Sequence, residues 1–151
     1  MATQPPLSLK GRALRLLGAR EHSRAELERK LEPFEEEPGS LAKALDELQS
    51  KGFINEQRVL ESVLHRRSAK LGTMRIRQEL LGKGLAPDAV MEAVEQLRAT
   101  EVERAREVWR KKFGQPPADA SERGRQLRFL ASRGFGGEAI RRVVAGAADD
   151  G

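Results

Sequence analysis

Residues 72–85 read GTMRIRQELLGKGL, and this stretch predicts one short helix between two glycine breaks. Ile76 and Leu80 stand four positions apart, so they share one face of that helix. Gly84 can adopt the left-handed conformation that ends a helix, and Leu85 can then pack back on the last turn. A weaker copy of this pattern occurs in each other third of the chain.

The copies indicate a repeat. A shift of 50 residues places Leu80 on Leu130 and Gly84 on Gly134. Repeats of this length are typical of helical arrays, in which neighbouring units support one another's small cores. The sequence therefore predicts an all-α protein, a tandem array of three three-helix repeats that is elongated, straight or curved. The predicted segments are a disordered N-terminus at 1–8, repeats at 9–54, 55–98 and 99–146, and a disordered C-terminus at 147–151.

Local signals place the helix ends. Ser23 and Thr100 each stand three residues before a glutamate, which is the spacing of a capping box. Asn55 and Thr73 are predicted to cap single helix starts, and the helix after Asn55 is predicted to span residues 56–70. Phe34 is expected to anchor the proline-rich loop of the first repeat.

The composition favours several small helical cores in a cytoplasmic protein. Charged residues make up 34% of the 151 residues and apolar residues 38%. There is no Cys, which excludes disulfides and fits a reducing compartment. No apolar run is long enough to span a bilayer, and the first residues lack the pattern of a secretory signal.

Catalytic chemistry is poorly represented, so we expect no enzyme and no cofactor. His22 and His65 lie in different repeats and are interpreted as surface histidines. Without Cys, a metal site would need clustered carboxylates, and the densest group, Glu35–Glu37, is interpreted as a solvated turn. Trp109 is assigned to a core rather than to a base-stacking platform.

Basic residues are the stronger functional signal. Residues 1–64 carry 10 Lys and Arg against 11 Asp and Glu, whereas residues 65–151 carry 18 against 12. Most of these cations are expected to be ordinary solvated charges, but an Arg-rich surface also suits DNA or an acidic protein groove. The candidate contact residues are Arg66, Arg67, Lys70, Arg75, Arg77, Lys83, Arg110, Lys111, Arg125, Arg128 and Arg133.

Two motifs resemble the bacterial RecX regulators over roughly residues 9–145. The first combines KGFINE at 51–56 with GxxRIxxELxxKGL at 72–85, and the second is RFLASRGF at 128–135. Family members usually carry an acidic pair followed by Arg-Phe-Ala after the first glycine turn. Here Glu56 and Arg58 keep that pattern, and Val59 replaces the aromatic residue.

The resemblance implies an array of three-helix repeats that acts as a negative modulator of RecA recombinase. Such proteins bind within the groove of the RecA filament on single-stranded DNA and lower ATP hydrolysis, strand exchange and the co-protease activity of the SOS response. Some members also touch DNA, which the basic half of this chain would allow. We expect a monomer without a membrane partner.

Two other functions are compatible with the sequence. A duplex-DNA-binding transcriptional regulator would use trihelical modules, with residues 74–78 as the recognition-helix candidate. A structural adaptor without a link to DNA would fit if the basic residues are all solvated charges.

Overall fold

The computed structural model describes residues 6–149, with side chains described to residue 146. Its helices within this range are α1 (Leu9–Ala19), α2 (Arg24–Leu31), a 3-10 turn (Glu32–Phe34), α3 (Ser40–Ser50), α4 (Glu56–Arg67), α5 (Thr73–Gly82), α6 (Pro87–Ala99), α7 (Glu101–Lys112), α8 (Ala120–Ser132) and α9 (Gly137–Asp149). Residues 6–149 contain no strand, which confirms the all-α prediction. Of the predicted disordered ends, residues 1–5 and 150–151 lie outside the described residues, and α9 continues three residues past 146.

The described residues form two compact units. Unit 1 comprises residues 6–62 with 83–85, and unit 2 comprises residues 63–82 with 86–149. The core of unit 1 lies among α1, α2 and α3, where Ala13, Leu27 and Leu45 are fully buried. Each of these residues lies on the apolar face of its helix, and burial of that face stabilises each short helix.

Unit 2 buries the corresponding stripes of its own helices. In α5, Ile76 and Leu80 are fully buried, as the four-residue spacing predicts. In the last three helices, Ala105, Leu130 and Val143 lie in one core with Trp109. Burial of these side chains supplies most of the stability that the short helices lack alone.

Trp109 belongs to this core, as predicted, and it carries a buried polar partner. Its indole N–H donates to Gln126 Oε1 at 2.8 Å, and Gln126 Nε2 donates to the carbonyl of Gln115 at 3.1 Å. Gln126 is only 1% exposed. The Gln126 amide therefore provides buried hydrogen-bond partners for both the indole N–H and a backbone carbonyl of the loop before α8.

The start of α2 in unit 1 is bound by segments that come much later in the chain. Ser23 and Glu26 form the predicted capping box, with the Glu26 N–H donating to Ser23 Oγ at 3.1 Å. The Ser23 hydroxyl also donates to the carbonyl of Lys83, in the turn after α5. The Arg24 N–H donates to Glu56 Oε1 at 3.4 Å. We call this set of contacts the unit 1 joint.

The start of α5 in unit 2 is bound in a similar way, and we call these contacts the unit 2 joint. The Gly72 N–H donates to the carbonyl of Arg133 at 2.8 Å, in the turn after α8. The Thr73 N–H donates to Glu101 Oε1 at 3.1 Å, at the first residue of α7. A shift of 50 residues places Lys83 on Arg133. Each joint therefore binds the start of a helix to the turn that follows a later helix end.

The two predicted threonine caps are wrong. Thr100 connects α6 directly to α7, and its hydroxyl donates to the carbonyl of Leu97 at 3.3 Å without accepting from a backbone N–H at the start of α7. Thr73 is the first helical residue of α5, and its Oγ1 accepts from Arg104 at 3.2 Å. In both cases the threonine hydroxyl forms a hydrogen bond with another group, so it does not cap the backbone N–H groups at the helix start.

Two other local predictions need correction. Helix α4 ends at Arg67, three residues before the predicted end, because the Lys70 N–H closes a turn on the carbonyl of Arg67. The predicted cap Asn55 is confirmed, since its side chain accepts from the Arg58 N–H at 3.0 Å. Phe34 is 45% exposed and does not anchor its loop in a core.

Candidate interaction surface

A groove of about 400 Å³ lies in unit 2 where three helices end. We call it the basic groove, and its lining residues are Ala69, Lys70, Val108, Lys111, Lys112, Phe129 and Arg133. Lys70 follows the end of α4, the two adjacent lysines end α7, and Arg133 is the C-cap of α8. Cations at helix C-termini are favoured by the helix dipole, so the three helix ends concentrate positive charge here.

The rim of the basic groove consists of four cations, namely Lys70, Lys111, Lys112 and Arg133. Neither Lys70 nor Lys111 forms an ion pair or a side-chain hydrogen bond with any described residue. Glu107, one turn before Lys111 on α7, is bound by Arg110. Among the residues that line the groove in the described structure, none is a carboxylate. Glu107 also interacts with the charge of Lys111, so the rim presents a net positive charge that its lining residues do not neutralise.

The floor of the basic groove is apolar. Val108 and Phe129 are half-buried and pack against the core of the last three helices. The Phe129 ring meets Phe113 edge-on with centroids 5.4 Å apart. The Arg133 guanidinium lies 5.0 Å and the Lys112 ammonium 5.4 Å from the Phe129 centroid. Cation–π contacts thus hold two rim cations over the floor.

Three of the predicted contact residues, Lys70, Lys111 and Arg133, come together in this groove. Arg66, Arg77 and Arg128 are exposed and make no ion pair with the described residues. Others are engaged with carboxylates: Arg67 with Glu79, Arg110 with Glu107 and Arg125 with Glu122.

Two further predicted contact residues lie within the joints. The Arg75 guanidinium donates to the carbonyl of Ser132 at 2.8 Å, and its side chain covers Gly134. The Lys83 ammonium lies 3.4 Å from both carboxylate oxygens of Glu26 in unit 1. Their charges are therefore used, at least in part, to hold the joints together.

The family motif after the first glycine turn is also part of unit 1. Arg58 donates to Glu21 Oε1 and to the carbonyl of Gly52, both at 2.8 Å. Glu56 accepts from the start of α2, and burial raises its pKa. Its second carboxylate oxygen is buried and has no hydrogen-bond partner among the described residues. Both motif residues thus have structural roles in this chain.

His22 is buried rather than on the surface, which corrects the sequence interpretation. Its Nδ1 lies 3.0 Å from the carbonyl of Arg20, and its Nε2 lies 3.1 Å from the Lys30 ammonium. Burial lowers the pKa of His22, and these neighbours fit a neutral ring that donates through Nδ1 and accepts at Nε2.

Glu26 is the most strongly perturbed buried carboxylate of unit 1. Burial raises its pKa, but hydrogen bonds from Arg20 and from the Ser23 N–H, together with the Lys83 charge, lower it to about 2. A lowered acid pKa contributes stability at a pH above the unfolded value and loses it as pH falls through the folded value. Glu26 therefore stabilises the fold at neutral pH.

We expect the free energy of unfolding to fall by about 2 kcal/mol through Glu26 as pH drops from about 4.5 to about 2. Urea titrations at several pH values measure this slope. Glu26→Gln should be less stable near neutral pH and show a flatter acid slope, whereas Glu36→Gln, at an exposed loop carboxylate, should follow the wild type. An unchanged slope in Glu26→Gln would rule out this role.

Sequence reasoning missed the role of Arg104 in supporting this surface. Arg104 is half-buried and donates to the carbonyls of Ser68, Leu71 and Leu97. It supports the turn after α4 that carries Lys70. Its position among other basic residues gave no sign of this role, because its acceptors lie far away in sequence.

Metal-binding clusters and membrane-spanning helices are both absent from the described residues. No group of three or more His, Asp or Glu residues among them could hold a metal ion. No helix between residues 6 and 149 is both long and apolar enough to cross a bilayer.

Comparisons with known proteins identify the family. Residues 10–48 match the family model "RecX, first three-helix domain", and residues 99–144 match "RecX, third three-helix domain". The regulatory protein RecX of Leptothrix cholodnii is 56% identical over 143 residues, covering 95% of this chain and 91% of the relative. The regulatory protein RecX of Ralstonia nicotianae is 47% identical, covering 94% and 89%.

Solved structures agree on the fold. The crystal structure of RecX from Lactobacillus salivarius superposes with a TM-score of 0.75 at 20% identity, covering 93% of this chain and 94% of that one. A second crystal structure of a regulatory protein RecX gives a TM-score of 0.72 at 18% identity. The family models and the close relatives together place this chain in the RecX family of regulatory proteins.

Proposed function

We propose that the protein is a negative modulator of RecA recombinase that binds within the groove of the RecA filament on single-stranded DNA. Membership in the RecX family is the observation that carries this proposal. The protein lowers ATP hydrolysis, strand exchange and co-protease activity by occupying the filament. It acts as a cytoplasmic monomer, without a cofactor and without catalysing a reaction, and its repeats span 9–54, 55–98 and 99–146.

The charge distribution supports binding to a polyanionic assembly. The basic groove carries four cations that no lining carboxylate offsets, and Arg66, Arg77 and Arg128 add exposed charge in unit 2. A filament of protein on single-stranded DNA offers both phosphates and protein carboxylates to such a surface. Positive charge on the free protein also speeds its encounter with a negatively charged filament.

We expect the protein to lower RecA's single-strand-dependent ATP hydrolysis when fewer copies of it than of RecA are present. A modulator that occupies the filament groove or stops its extension affects several RecA subunits at once, so inhibition should exceed the molar ratio. A coupled ATPase assay with increasing protein measures this. Unchanged hydrolysis at equimolar protein would overturn the proposed function.

Duplex-DNA binding through α5 is the alternative that the exposed residues Met74, Arg77 and Gln78 favour. Arg75, the fourth member of that candidate face, instead donates to the carbonyl of Ser132. A sequence-specific reader should keep its preferred duplex at moderate salt, whereas phosphate contacts alone weaken steeply. Selection of duplex sites from a random pool at moderate salt would support this alternative.

A further inference from the structure

The basic groove combines an apolar floor with a cationic rim. Its floor is apolar and is formed by the half-buried side chains of Val108 and Phe129. Its rim holds four cations close enough to line one groove of about 400 Å³. Like charges around an apolar floor repel one another, so an anionic occupant with apolar side chains would relieve the repulsion and cover the floor.

Several cations of unit 1 pair with carboxylates of the same unit. Lys10 pairs with Glu47 at 2.7 Å, and Arg58 pairs with Glu21 at 2.8 Å. Arg20 and Lys83 both engage the carboxylate of Glu26. The rim of the basic groove lacks such internal carboxylates among its lining residues, so an acidic ligand can supply the complementary charge.

The aromatic content of the groove favours a protein occupant over single-stranded nucleic acid. Nucleic-acid grooves usually stack successive bases on several aromatic rings. Here one ring, Phe129, belongs to the floor, and Arg133 and Lys112 already lie 5.0 and 5.4 Å from its centroid. A stacking base would have to displace these cations, whereas leucine or phenylalanine side chains can pack beside the ring on Val108.

We propose that the basic groove binds an acidic amphipathic segment of a partner protein. The apolar side chains of the segment pack on the floor, and its carboxylates pair with the rim cations. This inference rests on the proposed function, which identifies the partner assembly. It adds the chemistry by which the groove binds a protein segment rather than DNA. Three of the four rim cations are lysines, and a lysine ammonium donates to carboxylates in many geometries, so the segment is recognised by pattern rather than by exact sequence.

The test uses direct binding of the full chain to a synthetic probe. The probe is a fluorescein-labelled peptide of about 15 residues that forms a helix with a glutamate face and a leucine and phenylalanine face. Three matched probes are compared with this parent peptide. In the neutral peptide glutamine replaces each glutamate, and in the serine peptide serine replaces each apolar residue. The third probe is oligothymidine of similar length. Anisotropy is measured at about 0.05 and about 0.15 M salt.

The groove variant is Lys70→Glu/Lys111→Glu, at two exposed residues without ion-pair partners among the described residues. Its matched control is Lys43→Glu/Arg98→Glu, which makes the same change in net charge at exposed residues outside the groove. A second groove variant, Ala69→Glu, places a carboxylate on the groove at an exposed site without removing a cation. Circular dichroism checks that all three are folded.

The acidic amphipathic peptide should bind the wild type and the control variant alike, and bind either groove variant about tenfold more weakly. The neutral peptide and the serine peptide should bind more weakly than the parent, because each lacks one half of the pattern. The parent peptide should keep more of its affinity at the higher salt than oligothymidine does.

Three results would overturn the inference. They are equal binding of the parent and serine peptides, equal binding to groove and control variants, and tight oligothymidine binding that the groove variants abolish while the peptide fails to bind. The ATPase assay separates this inference from the proposed function. Inhibition of RecA without peptide binding would contradict only this inference. Peptide binding without any effect on RecA would contradict only the proposed function.

Discussion

Gly72→Ala is expected to lower the free energy of unfolding by about 3 kcal/mol. A Cβ at residue 72 would lie 2.3 Å from the carbonyl carbon of Gly134 and 2.3 Å from the backbone nitrogen of Phe135. Both neighbours are backbone atoms, so they cannot rotate away as a side-chain tip can. The substitution must push apart the unit 2 joint and weaken the hydrogen bond from residue 72 to Arg133.

Gly82→Ala is the matched control for this prediction. Gly82 ends α5 in the same unit, and a Cβ there would meet nothing within 4 Å. Its free energy of unfolding should change by about 1 kcal/mol or less, and in the stabilising direction if helix propensity dominates. Urea denaturation followed by circular dichroism compares the two variants, and equal stability of both would contradict the close approach at Gly72.

Arg104→Met is expected to cost about 3 kcal/mol of folding free energy. The guanidinium donates at 2.7 Å to the carbonyl of Leu71, at 2.9 Å to that of Leu97 and at 3.1 Å to that of Ser68. It also donates to the hydroxyls of Thr73 and Thr100. Methionine keeps much of the side-chain volume but removes all of these hydrogen bonds, and the carbonyls of Ser68 and Leu71 lose the side-chain donor that Arg104 supplies.

The control for Arg104 is Arg106→Met, which removes the same charge from an exposed position of α7. Its stability should stay within about 0.5 kcal/mol of the wild type. Hydrogen exchange of the amides around Leu71 adds a local readout, since loss of Arg104 should loosen the turn after α4 first. If both variants were equally stable, Arg104 would be a surface charge rather than the support of that turn.

Helix positions could be predicted from the sequence because their signals are local. The spacing of Ile76 and Leu80 placed both on one face, and the structure buries both. The pairing of Ser23 with Glu26 as a capping box is confirmed for the same reason. Thr100 has identical spacing to its glutamate, yet it lies between two contiguous helices and its hydroxyl turns back to Leu97. Spacing alone does not separate these two cases.

The joints and the basic groove could not be predicted, since they depend on residues far apart in sequence. Nothing near Gly72 indicates that the turn at Gly134 lies against it. His22 precedes a helix cap among polar residues and therefore looked exposed, but contacts with Arg20 and Lys30 accompany its burial. Lys70, Lys111 and Arg133 were candidates by charge, and only the fold brings them to one groove.

RecA's ATP hydrolysis on single-stranded DNA, titrated with the wild type, the groove variant Lys70→Glu/Lys111→Glu and the control Lys43→Glu/Arg98→Glu, tests the proposed function most directly. The wild type and the control should inhibit at less than one copy per RecA, and the groove variant should need about tenfold more protein. Full ATPase activity at equimolar wild-type protein would contradict the assignment as a RecA modulator.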